Sequence, residues 1–278
     1  MGTFAESERS AALERLLDQL REDDRIEAVV LTGSLGVDRL DAWSDLDLTA
    51  VVRSEVDCAV VASDWTRRVY DEWPVAHHYE NAYETTLVRG FLLSSGLVLD
   101  LAFAPLEDFS VWAPVRVAFD RRDAVTRVAG SPEAWVPTPD WPGEAGYAWH
   151  DVLHACSAAV RRRPWRSLYY LQRVRNRALA LAAERNGLDA DEFKQVDNLP
   201  SEATAALVPT LVPDLASPSL MAAIDAATKA FLAELRHGDP DLAARLKPPL
   251  LAWVDASDAA IKRAGDSRTG TILSRGPG

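Results

Sequence analysis

Two aspartates in a strand-like run constrain this chain more than any other feature of its sequence. Asp45 and Asp47 stand two residues apart in the stretch Ser-Asp-Leu-Asp-Leu-Thr-Ala-Val-Val. Successive side chains of a strand point to opposite faces, so both carboxylates are predicted on one face and Leu46 and Leu48 on the other. Ionised carboxylates this close repel each other, and a protein keeps such a pair mainly where a divalent cation or a shared proton compensates. Oxygen ligands of this kind suit Mg²⁺.

A glycine-rich turn precedes the two acids. An apolar run ends at Thr32 and is followed by Gly33, Ser34 and Gly36. Glycine lets the backbone adopt positive φ and approach a ligand closely, so its N–H groups can donate to phosphate oxygens. A glycine turn alone is usually only a turn, and two acids alone are often a solvated strand edge. Together they predict a site for a nucleoside triphosphate and a metal ion.

The order of Gly33-Ser34, a loop, and Asp45-Leu46-Asp47 resembles the signature of the nucleotidyltransferase superfamily, which includes DNA polymerase beta and the aminoglycoside and lincosamide nucleotidyltransferases. The resemblance implies one or two Mg²⁺ ions held by Asp45 and Asp47, with ATP as the expected co-substrate. The expected nucleotide-binding residues of this part of the chain are Gly33, Ser34, Gly36 and Ser44.

A third acid stands inside a later apolar strand. Leucines alternate to one side of residues 97–103, and Asp100 faces the other side between Val98 and Ala102. A buried unpaired carboxylate is costly, so Asp100 requires a partner such as a cation. The superfamily resemblance implies a third site acid on a later strand and assigns it to Asp100. Its role as metal ligand or as general base stays open, and a structural ion pair is the alternative.

The composition changes after residue 130. Four prolines between residues 132 and 142 predict a linker over residues 131–143. We therefore expect an α+β chain with four segments: a nucleotidyltransferase domain at residues 1–130 (a mixed β-sheet with flanking helices), the linker, an all-helical domain at 144–264 and a flexible tail at 265–278. The active site is expected in the cleft between the two domains.

One predicted helix of the second domain carries a basic stripe. At 100° per residue, Arg166, Tyr170, Arg173 and Arg177 share a narrow face. Seven arginines lie between residues 161 and 177 of an otherwise acidic chain. Arginine forks bind phosphate in a bidentate manner, so Arg173 and Arg177 are predicted to reach the nucleotide. The alternative is a solvated arginine face.

Two histidines lie one helical turn apart in the same domain. His150 and His154 flank Asp151, but the zinc-protease motif needs Glu directly after the first histidine. Packed or cleft-lining histidines are favoured over a zinc site. Related enzymes line the acceptor pocket with these helices, so the resemblance implies acceptor contacts for three residues: Glu144, Asp151 and His154.

Charge and cysteine content narrow the partners and the location. The formal net charge of −12 disfavours nucleic acid and suits a cationic small molecule. Cys58 and Cys156, the only cysteines, lie in apolar stretches and are predicted to be buried thiols. No signal peptide or membrane-spanning run is visible, so we expect a cytoplasmic monomer or homodimer without a membrane partner.

Together, these features predict a Mg²⁺-dependent nucleotidyltransferase of the adenylyltransferase type. It would move AMP from ATP to a hydroxyl of a small molecule and release pyrophosphate. An aminoglycoside or lincosamide antibiotic is the candidate acceptor, which would make the protein an antibiotic-resistance enzyme. The alternatives are a protein or RNA acceptor, or a non-catalytic nucleotide-binding regulator.

Overall fold

The computed structural model describes residues 6–41, 43–111, 115–125 and 139–273, with side chains through residue 264. Within it the chain divides into two units, Met1–Trp135 and Val136–Gly278. Among the described helices, none is both long and apolar enough to cross a bilayer.

The described residues of the first unit form three helices and six strands. In chain order they are α1 (Glu6–Glu22), β1 (Ile26–Leu31), α2 (Gly33–Gly36), β2 (Leu46–Val52), α3 (Cys58–Glu72), β3 (Val75–Tyr83), β4 (Thr86–Leu93), β5 (Val98–Pro105) and β6 (Arg116–Asp120). The strands form one sheet in the order β3-β4-β5-β2-β1-β6. β2 and β5 pair in parallel, whereas every other neighbouring pair is antiparallel. The predicted mixed sheet with flanking helices is confirmed.

One face of the sheet carries the larger core. Alternate residues of β2, among them Leu46 and Leu48, pack with Leu99, Leu101 and Phe103 of β5 and with buried side chains of α1 and α3. The other residues of both strands therefore lie on the opposite face, where Asp47 and Asp100 are only partly buried. The two-residue period of the strands thus separates the core from the acids.

Strand β3 was missed by the sequence analysis. Its segment Val75–Tyr83 is partly buried at only two of nine positions, because β3 forms one edge of the sheet. The segment has no apolar alternation, so only pairing with β4 reveals it as a strand.

The second unit is helical, as predicted. Its helices are α4 (Trp141–Val160), α5 (Pro164–Arg185), α6 (Ser201–Ala205), α7 (Ser217–Gly238) and α8 (Pro240–Leu273), and short 3₁₀ turns cover Asp191–Phe193, Val196–Asn198 and Val208–Thr210. Buried apolar side chains of α4, α5, α7 and α8 form one core that includes Leu171, Ile224 and Phe231.

Two predicted segments, the linker and the tail, lie partly outside the described residues. Most of the predicted linker, residues 131–138, and the last five residues of the predicted tail, 274–278, lie there. Helix α4 begins at Trp141, three residues before the predicted start, with Pro142 in its first turn. There the missing N–H of proline costs little. The backbone of α8 is helical to Leu273, within the predicted tail. The domain limits stay a prediction.

Candidate functional site

Three carboxylates converge on the open face of the sheet. One carboxylate oxygen from each of Asp45, Asp47 and Asp100 lies within 4.8 Å of the other two, and all three residues are partly buried. Mutual repulsion at this distance is relieved when a cation lies between the groups. The donor set, three hard oxygens, fits a divalent metal ion.

Strand pairing explains why residues so far apart in sequence meet. In the parallel pair β2–β5, Asp47 is directly opposite Asp100. Both face away from the core that contains Leu46 and Leu99. Asp45 immediately precedes β2, so its carboxylate joins the pair from the loop.

The environment of Asp100 makes its ionised form costly. Burial raises the pKa of the Asp100 carboxyl above its usual value, and the negative charge of Asp45 raises it further. The hydroxyl of Tyr79 donates to Oδ1 of Asp100 over 3.4 Å, which acts in the opposite direction. Burial, and then the neighbouring Asp100 charge, raises the pKa of Tyr79 in turn. A positive ion at the three carboxylates would favour the ionised form of Asp100.

Gly90 permits the contact between Tyr79 and Asp100. Tyr79, Gly90 and Asp100 are directly opposite one another across β3, β4 and β5. A Cβ at position 90 would lie 2.0 Å from Cε1 of Tyr79 and 2.7 Å from Oδ1 of Asp100. The missing side chain therefore leaves the space in which the tyrosine ring crosses β4. An isolated glycine inside a strand pattern often marks such an approach, so this signal was available in the sequence.

The glycine-rich turn lies directly against the acids. Gly33 has φ +54°, and a Cβ there would lie 2.2 Å from Oδ2 of Asp47. The backbone N–H of Thr32 donates to the carbonyl of Asp47 over 3.0 Å. Oγ of Ser34 is buried and has no hydrogen-bond partner among the described residues. A buried hydroxyl without a partner is costly, and this one is available to a ligand oxygen.

A buried arginine fixes the loop that carries Asp45. Arg9 of α1 is 4% exposed, and its guanidinium donates to the carbonyls of Asp41 and Ser44. The side chain of Ser44 donates to Oδ1 of Asp41 over 3.1 Å and accepts from the Asp41 N–H over 2.9 Å. The hydroxyl of Ser44, a predicted nucleotide contact, is thus hydrogen-bonded within its own loop. Arg9 was missed, although its spacing from Leu13 places a charge on the apolar stripe of the helix.

A cavity of about 630 Å³ opens in the first unit. Thr32 and Thr49 line it: Thr32 directly precedes Gly33, and Thr49 follows Asp47 by two residues on the same strand. Apart from Tyr83, the ionisable side chains among the described lining residues are those of Glu84 and Asp108. None of these described lining residues is Lys or Arg. The cavity therefore combines hydroxyl groups and two carboxylates with apolar side chains such as Val30 and Phe109.

In the second unit, a buried carboxylate holds two arginines. Asp151 is 1% exposed, and its Oδ2 lies 2.9 Å from Nε of Arg173 and 3.5 Å from Nε of Arg177. Arg177 also pairs with Glu144 and lies over the ring of Tyr147, 4.7 Å from its centre. Asp151 therefore acts as an internal partner that orients two guanidinium groups, a role that sequence periodicity did not reveal.

These charged groups border a second cavity, of about 470 Å³. Glu144, Arg173 and Arg177 line it together with Asn176 and Phe193. The two predicted nucleotide-binding arginines and one predicted acceptor contact thus meet within one unit. The contact of these arginines with a nucleotide stays a prediction.

His154, the third predicted acceptor contact, lies in a different cluster. Its Nε2 is 3.1 Å from Nε2 of His150, and its ring stacks on Tyr170 with centres 5.0 Å apart. Burial lowers the pKa of His154, and electrostatic repulsion from the His150 ring and the Arg166 guanidinium lowers it further. The pair therefore favours a neutral His154.

Comparison with known proteins adds little to this geometry. No protein-family description matches the chain, and no curated protein sequence matches it. Among solved structures, the chain is similar to an aminoglycoside 6-adenyltransferase from Bacillus subtilis, with 13% sequence identity and a TM-score of 0.36. That similarity covers 87% of this chain and 96% of the other. At this TM-score it carries no argument, so the case for function rests on the site.

Proposed function

We propose that the protein is a Mg²⁺-dependent nucleotidyltransferase that moves AMP from ATP to a hydroxyl of a small molecule. The observation that carries the proposal is the convergence of Asp45, Asp47 and Asp100 beside a glycine turn with an unpartnered Ser34 hydroxyl. Metal-ligand oxygens and a phosphate-sized backbone turn are the two features that triphosphate binding needs.

The side chains of the site divide the work as follows. Asp45 and Asp47 would hold the metal, with Asp100 completing the ligand set or taking a proton. A divalent ion bound there supplies charge neutralisation at the phosphate oxygens. Ser34 Oγ and the backbone at Gly33 donate to the triphosphate. Positioning and neutralisation, rather than covalent chemistry by the protein, carry the rate of such transfers.

The proposed reaction balances as a single displacement. The acceptor oxygen forms a bond to the α-phosphorus, and the bond from that phosphorus to the bridging oxygen of the β-phosphate breaks. Pyrophosphate leaves with the bond electrons. The proton of the acceptor hydroxyl passes to the Asp100 carboxylate or to solvent.

The cavity lined by Thr32 and Thr49 supports a small acceptor rather than a nucleic acid. Its volume of about 630 Å³ is in the range of small-molecule sites. Hydroxyl groups and two carboxylates, Glu84 and Asp108, suit a hydroxylated molecule with amino groups. Aminoglycosides have this chemistry, and lincosamides share part of it.

Pyrophosphate release tests the proposal directly. The protein is incubated with Mg²⁺, each nucleoside triphosphate, and a panel of aminoglycosides and lincosamides. We expect acceptor-dependent release with ATP, and its loss in Asp47→Asn. Asp18→Asn, which changes an exposed acid of α1, is the matched control and should retain activity. Full activity in Asp47→Asn would show that these acids are not the catalytic site. No release with any compound of the panel would show that the acceptor is not one of these antibiotics.

The two roles of Asp100 can be separated by a binding measurement. Asp100→Asn should abolish turnover in either role. If Asp100 is a metal ligand, Mn²⁺ affinity falls together with turnover. If it is only the base, Mn²⁺ affinity is retained while turnover is lost.

A further inference from the structure

The pair His150 and His154 has the geometry of two ligands of one metal ion. The residues lie one turn apart on α4, and their Nε2 atoms are 3.1 Å apart. Two nitrogens each 2.0–2.1 Å from a zinc ion and about 3.1 Å apart subtend an angle of about 98° at the ion. That angle lies between the 90° of octahedral and the 109° of tetrahedral ligation, so the separation of the two nitrogens suits a single ion.

Neighbouring side chains hold both rings in this orientation. His154 stacks on Tyr170 at an interplanar angle of 22°. Nδ1 of His150 lies 3.8 Å from Oδ1 of Asp151, which is almost fully buried. Metal-binding histidines commonly direct their second ring nitrogen towards such a carboxylate. A proton on Nδ1 of His150 would face Asp151, and the Nε2 lone pair would then be left for an ion.

The surrounding charges determine how strongly a metal ion is expected to bind to the two histidines. Arg166 and Arg161 oppose a cation near His154, while Asp151 attracts one. The side chain of His150 is 54% exposed, so solvent screens these charges and can supply the remaining ligands. Two protein ligands with open positions give reversible rather than permanent binding.

We propose that His150 and His154 form a second metal site, selective for a borderline transition-metal ion of the Zn²⁺ class. Imidazole nitrogens suit Zn²⁺, Cu²⁺ and Ni²⁺, whereas the carboxylates of the first unit suit Mg²⁺. The two units then bind different metals through different ligand chemistry. The second site does not depend on the proposed transfer reaction.

Zinc titration with competition by a chromogenic chelator tests the site. The measurement uses the full chain carrying Asp47→Asn, in millimolar Mg²⁺, so that the acidic site contributes little. We expect one equivalent of Zn²⁺ to bind, and at least about a tenfold loss of affinity in His150→Gln and in His154→Gln. His237→Gln, which changes an exposed histidine near the end of α7, is the matched control and should bind as the parent does.

A spectroscopic readout complements the affinity. Cu²⁺ bound at the site should show hyperfine coupling to two imidazole nitrogens in electron paramagnetic resonance, and each glutamine variant should show one or none. Both histidines are at least partly accessible, so circular dichroism should be unchanged by either substitution. Zn²⁺ affinity in both variants equal to that of the parent, or no zinc binding by the parent, would overturn the proposal and leave the contact a hydrogen bond between two imidazoles.

Discussion

Gly90→Ala is the most revealing single change in the proposed catalytic unit. The new Cβ would meet the Tyr79 ring at 2.0 and 2.3 Å and the Asp100 carboxylate at 2.7 Å. Ordinary carbon contacts are about 3.5–4.0 Å, so the ring must move by more than about 1 Å. Gly90 does not have positive φ, so backbone strain makes no contribution. The effect arises from the two displaced side chains alone.

The expected cost in stability is small. Overpacking inside a core costs about 1–3 kcal/mol, but Tyr79 is 51% exposed and can turn towards solvent. Replacing glycine by alanine also restricts the unfolded chain, which gains about 0.4–1 kcal/mol. The net change in the free energy of unfolding should stay within about 1 kcal/mol. The thermal midpoint should therefore shift by no more than about 4 °C.

The expected cost in function is larger. Displacing Tyr79 removes its hydrogen bond to Asp100, and a hydrogen bond to a charged group contributes about 1.5–3 kcal/mol. Turnover and Mn²⁺ affinity should each fall by about ten- to a hundredfold. Steady-state pyrophosphate release and isothermal titration with Mn²⁺ measure the two quantities.

Two further variants complete the test. Gly146→Ala on α4 is the control, because a Cβ there meets no atom within 4 Å; both readouts should be unchanged. Tyr79→Phe removes only the hydroxyl and should reproduce part of the loss. Unchanged turnover and Mn²⁺ affinity in Gly90→Ala would refute the reasoning. Destabilisation by more than about 3 kcal/mol would also refute it, because it would mean that the Tyr79 ring had not moved away from the new Cβ.

Three other substitutions test separate contacts. Gly33→Ala should reduce turnover at least a hundredfold and destabilise the chain by about 1–2 kcal/mol, because it combines positive φ with a clash against Asp47; wild-type turnover would contradict this. Arg9→Met keeps the apolar stem of the side chain but removes the donors to the loop before Asp45. The kcat should therefore fall about tenfold. An unchanged kcat would show that the loop keeps its conformation without Arg9. Asp151→Asn should lower the free energy of unfolding by about 2–4 kcal/mol in urea titrations, because two guanidinium groups lose a buried partner; a change below about 0.5 kcal/mol would mean that water replaces it.

Much of the fold could be predicted because its signals are local. The two-residue alternation in β2 and β5 and the three- to four-residue spacing of α1 are visible within single segments. The same alternation put Asp47 and Asp100 on uncovered faces of their strands. The helical second half also followed from periodicity, as in α5.

The rest of the candidate site depends on contacts between distant segments. Strand β3 lacks a periodic pattern, and its residue Tyr79 reaches Asp100 only because β4 brings Gly90 between them. The fixing of the Asp45 loop by Arg9 likewise spans more than thirty residues. Such pairings are not encoded in any single segment.

By itself, therefore, the sequence determined the strands and helices that have a periodic pattern, and which faces of β2 and β5 carry acids, because side-chain direction follows from the backbone period within a few residues. Only the tertiary structure decided that β2 and β5 pair in parallel with Asp47 opposite Asp100, and that Asp151 lies buried beneath two arginines. The physical reason is that strand register and side-chain burial are set by packing of the whole unit. That packing minimises exposed apolar surface over many residues at once.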